Sequence, residues 1–105
     1  SSNVIRKVVG EADKEIYESL ISLVKGESLV TYIDIGVIYS HIKNDVSTIH
    51  GFLLAAGYLK VLKTMVGGNG NLLCEMDLPN REISIVYQKE IIIEETDEIV
   101  ERDGI

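Results

Sequence analysis

Five consecutive residues, Gly67-Gly68-Asn69-Gly70-Asn71, separate two apolar runs in the second half of this chain. Gly and Asn enter the left-handed backbone region at little cost, so the segment predicts the turn of a β-hairpin. The runs on either side, 59–66 (L-K-V-L-K-T-M-V) and 72–78 (L-L-C-E-M-D-L), then read as its strands. In the second of them Glu75 and Asp77 alternate with Cys74, Met76 and Leu78, the pattern of one wet face and one dry face. Pro79 has no N–H to extend the ladder, and Asn80 behind it is placed to cap a helix that opens at Arg81.

A second local signature precedes the hairpin. Residues 46–56 (V-S-T-I-H-G-F-L-L-A-A) predict a strongly apolar helix, with Asn44-Asp45 as its cap. Gly57 stands at the C′ position, and Tyr58 at C″ is set to pack back on Leu53. Upstream, Asp13 predicts the N-cap of a helix whose face carries Ile16, Leu20, Leu23 and Val24, and Gly26 ends it. The β-branched run 29–35 predicts a short strand, and 36–44 a turn or short helix. A first helix over 3–10 is expected to stop at Gly10. The last helix carries Ile83, Val86, Tyr87 and Ile91 on its buried stripe, although Ile91-Ile92-Ile93 fits a strand equally well.

The order helix, strand, short helix, helix, hairpin is that of a small winged-helix-like α+β domain with extra flanking helices. At 105 residues the chain holds one domain. We place it at 1–95, with 96–105 as an acidic, flexible tail. From Arg81 to Ile105 eight carboxylates oppose three basic residues, within a net charge of −7. The start at Ser1-Ser2-Asn3 suggests a piece of a larger protein, and no basic segment leads into an apolar run as in a signal peptide. A single cysteine, Cys74, rules out an internal disulfide and fits a reducing, cytoplasmic setting. No segment is expected to cross a membrane.

The winged-helix order raises the question of DNA binding, and the residues argue against it. Reading bases needs Arg, Lys, Asn or Gln on an exposed helix face. The corresponding helix offers only Ser47, Thr48 and His50, and the hairpin adds Lys60 and Lys63. Chemistry is equally sparse. His41, His50 and Cys74 lack zinc-ligand spacing, and Cys74 falls on the dry parity of its strand. The glycine run 67–71 has no Lys-Ser/Thr ending and precedes a strand, unlike a phosphate loop. Glu94-Glu95 and Asp97-Glu98 read as a solvated charge run. We therefore expect no catalytic, cofactor or metal residues. What is left over is the apolar helix: Ile49, Phe52, Leu53 and Leu54 wrap most of its surface, so it is either central to the core or a contact patch.

Two ordered segments carry a family resemblance. Residues Ile49-His50-Gly51-Phe52-Leu53-Leu54-Ala55-Ala56-Gly57-Tyr58-Leu59-Lys60, followed by Leu78-Pro79-Asn80-Arg81-Glu82-Ile83, resemble a family of bacterial AAA-ATPase-like proteins with a C-terminal PD-(D/E)XK nuclease-like domain. Gly26-Glu27-Ser28 and the opening Ser1-Ser2-Asn3 resemble the stretch following the ATPase domain. The resemblance covers nearly all of 1–95 and implies a connector between the ATPase-like and nuclease-like domains. Neither catalytic set is present, so no family active-site residue carries over, and the acidic stretch after Ile93 departs from the family pattern. The expectation is a non-catalytic module whose partners are neighbouring domains of its parent protein. A nucleic-acid-binding winged helix and a homodimerisation domain built on the apolar helix are the alternatives.

Overall fold

The computed structural model describes residues 2–34, 49–67 and 71–102. Along them run α1 (Ser2–Glu11), α2 (Lys14–Val24), β1 (Leu29–Asp34), α3 (Ile49–Ala55), β2 (Lys60–Val66), β3 (Asn71–Asp77) and α4 (Arg81–Arg102). The α+β class expected from the sequence is the class observed. Residues 36–48, expected to hold a turn or short helix and the start of the apolar helix, lie outside the described residues, as do Gly68, Asn69 and Gly70.

The helix ends form as their local chemistry dictates. The Ile16 N–H donates to Asp13 Oδ1 at 2.9 Å, and the Ile83 N–H donates to Asn80 Oδ1 at 2.8 Å, so both caps satisfy an orphan donor. Helix α3 closes in a Schellman motif. The Tyr58 N–H donates to the Leu53 carbonyl at 2.8 Å and the Gly57 N–H to Leu54 at 3.1 Å, with Gly57 at φ +89°. Helix α2 ends by the same device at Gly26, φ +97°. The hairpin closes where the Gly67 N–H donates to the Asn71 carbonyl at 2.9 Å.

All three strands are antiparallel, in the order β1-β3-β2. Thr31 and Thr64 flank Cys74 on one face, and Tyr32 and Met65 flank Leu73 on the other. A bulge between Val61 and Lys63 shifts the register of β2. The helices lie on the Cys74 side, where Ile33, Cys74 and Met76 are buried with Leu20, Leu53 and Tyr87. The Tyr87 hydroxyl, wholly buried, donates to the Tyr58 carbonyl at 3.0 Å and so ties α4 to the turn after α3. Burial raises its pKa, which keeps it a donor.

Two features of the helices differ from the sequence reading, and a third settles a run that the sequence left open between helix and strand. Gly10 does not end α1, which continues to Glu11. A Cβ at Gly10 would make only an ordinary van der Waals contact, 3.8 Å from Glu94 Oε1 on α4, so neither the packing nor the backbone there requires glycine. The run Ile91-Ile92-Ile93 is helical, with Ile91 buried and Ile92 63% exposed. Helix α4 also runs unbroken across the 95/96 boundary to Arg102. Part of its charge is internal. Glu90, only 1% exposed, accepts from Arg6 Nε at 3.0 Å and from Nη2 at 3.4 Å. That hydrogen bond and charge raise the Arg6 pKa and clamp α1 to α4.

Candidate interaction surface

The apolar helix divides by face. Leu53 is fully buried and belongs to the core, while Ile49 and Leu54 are half-buried against it. Phe52, Ala55 and Ala56 point outward. The helix thus serves both as a core element and as an apolar outward face, and the four candidate contact residues are shared between the two.

His50 turns inward. The Ser19 hydroxyl gives its proton to the Ile16 carbonyl at 2.6 Å, so the 2.9 Å contact between Ser19 Oγ and His50 Nε2 requires the imidazole to donate. Desolvation lowers the His50 pKa, against the weaker opposing charges of Asp13 and Glu15. A serine nucleophile needs the reverse arrangement, with the imidazole accepting the hydroxyl proton. The pair therefore fastens α3 to α2. Cys74, 1% exposed, has its pKa raised by burial, which disfavours the reactive thiolate. His41 lies outside the described residues, and among those described no group of three His, Cys, Asp or Glu side chains is placed to hold a metal ion. No helix among the described residues is long and apolar enough to cross a membrane.

Away from the helices the sheet presents an open face. One row crosses all three strands, Tyr32–Leu73–Met65, with Tyr32 63% and Met65 67% exposed. The next row is Val30–Glu75–Lys63, and beyond it Asp77 stands opposite Lys60. An apolar centre edged by charges is the anatomy of a protein contact. Sequence alternation on β3 pointed to this wet face, but the row emerges only from the cross-strand register, including the bulge at Leu62. A second apolar line, Ile85, Ile92 and Ile99, follows the outer side of α4 at seven-residue spacing. The seven-residue spacing stands in the sequence, but the inner stripe of Ile83, Tyr87 and Ile91 accounts for the helix without it.

Comparison with protein-family models, with curated proteins and with solved structures returned no match.

Proposed function

We propose that this chain is a non-catalytic protein-interaction module of winged-helix-like design, acting as the connector between ATPase-like and nuclease-like domains that its sequence resembles. One observation carries the interaction reading. The outward side of α3, the side that would meet DNA bases in such a design, consists of Phe52, Ala55 and Ala56, while His50 is spent on Ser19. An apolar face of that kind favours a protein contact over base recognition. Strand order β1-β3-β2, with the hairpin directly after α3, supports the winged-helix-like description. The acidic balance of the chain, −7 overall, opposes attraction to phosphates.

Titrating the chain against separately produced ATPase-like and nuclease-like domains, followed by light scattering, tests the proposal. Complex formation with either domain, weakened by Phe52→Glu, is the expected result. Tight DNA binding in a low-salt mobility shift, with no complex to either domain, would replace it with the nucleic-acid reading.

A further inference from the structure

Opposed residues in antiparallel strands project to the same face, so the open side of the β2–β3 hairpin consists of two parallel columns. On β2 the column is Lys60, Lys63, Met65; on β3, in register, it is Asp77, Glu75, Leu73. Base stands beside acid twice, and apolar beside apolar once. Such a pair of columns is complementary to itself. A two-fold axis running parallel to the strands, midway between them, lays each column of one copy over the opposite column of the other and leaves the rows in step. Lys63 then faces the second copy's Glu75, Lys60 faces Asp77, and Met65 faces Leu73, each contact made twice as an isologous interface requires.

We propose that this face of the hairpin is a self-association surface whose partner is a second copy of the chain, docked sheet to sheet about that axis. The charges are available for it. Among the described residues Arg6 with Glu90 is the ion pair formed, and neither Lys60 nor Lys63 takes part in one. The three β2 side chains are exposed, Met65 by 67%, and on β1 the similarly exposed Tyr32 overhangs the free edge of the second copy's β2. Two other ways of pairing copies are poorer. Edge-to-edge pairing through β2 is opposed by the bulge at Leu62 and by its two lysines, both devices that blunt sheet edges. The α4 line offers one isoleucine per heptad beside Gln88 and Glu95, half of the seam that a coiled coil needs.

The contact area is small, so the dimer is weak and reversible. The proposal rests on the interaction-module reading and names one partner for it. Sedimentation equilibrium of the chain over a wide concentration range at low salt is the experiment. The wild type is expected to dimerise, less so at high salt. Lys63→Glu and Glu75→Lys, each confirmed folded by circular dichroism, are each expected to weaken self-association at least about tenfold, through like-charge contacts across the axis. Mixed together they should associate again, because the acids of one chain then meet the lysines of the other. A wild type that stays monomeric throughout would overturn the dimer and leave the connector reading to its own domain titration. A dimer unmoved by either charge reversal would overturn the assignment to this face.

Discussion

Strands β1 and β2 are the two edges of one sheet, both paired to β3, yet they live in different surroundings. On β1, Ile33 is 3% exposed beneath the helical layer. On β2 every residue from Lys60 to Val66 is exposed. The row Ile33–Leu72–Val66 shows the gradient within one line of side chains: buried on β1, half-buried on β3 and 82% exposed on β2. Helices α2 and α3 meet the β1 side, and the connection leads away from them into the hairpin. Backbone pairing thus holds β2 in place, while side-chain burial holds the rest. A strand that contributes little burial is free to carry residues chosen for contact.

The largest break in that comparison comes from truncating one apolar side chain on each side of it. Leu53→Ala removes a fully buried side chain from the core and is expected to cost about 3 kcal/mol, from lost burial and the cavity left behind. Val66→Ala on β2 should stay within about 0.5 kcal/mol. Urea unfolding of the two variants beside the wild type checks both. Equal losses would mean that β2 is as deeply embedded in the cooperative core as α3.

A smaller effect is expected at the joint where α3 hands the chain to β2. Gly57 has φ +89°, and a Cβ there would meet nothing within 4 Å. Gly57→Ala therefore tests backbone conformation without a steric clash, at about 1 kcal/mol. The same substitution at Gly26, φ +97° and equally open, is the internal control. Similar losses at both would show that the turn before β2 is held by the Schellman geometry alone. A much larger loss at Gly57 would mean that the strand depends on that turn for its register.

The legible parts of this fold were those set by local chemistry. Asp13, Asn80, Gly26 and Gly57 each act within a few residues of themselves, and their caps and turns form as read. Alternation on β3 separated Cys74 and Met76 from Glu75 and Asp77 for the same reason. Gly10 misled because it lies inside α1, which runs on to Glu11, and not at the C′ position where a glycine stops a helix. Glu90 stands in the sequence as one of eight carboxylates after Arg81, and nothing near it points to Arg6, 84 residues away. The open face of the sheet, the proposed contact surface, was least legible. It depends on which side chains stand abreast across three strands, and the bulge in β2 alters that register.

The subtlest test concerns the staple that holds α3, and with it the start of β2, against α2. His50 is a hydrogen-bond donor to Ser19 in its neutral form, and burial lowers its pKa below the ordinary value of 6.5. The unfolded chain therefore binds a proton more readily than the folded one as the pH falls through that value. The sign follows: the contribution to stability is present above about pH 6.5 and is lost progressively below it, down through the depressed folded pKa. Thermal unfolding at about pH 7.5 and about pH 5.5 should show a larger loss for the wild type than for His50→Gln, which keeps a donor but has no proton to gain. An identical loss in both would place the acid sensitivity elsewhere and would leave the α2–α3 staple indifferent to pH.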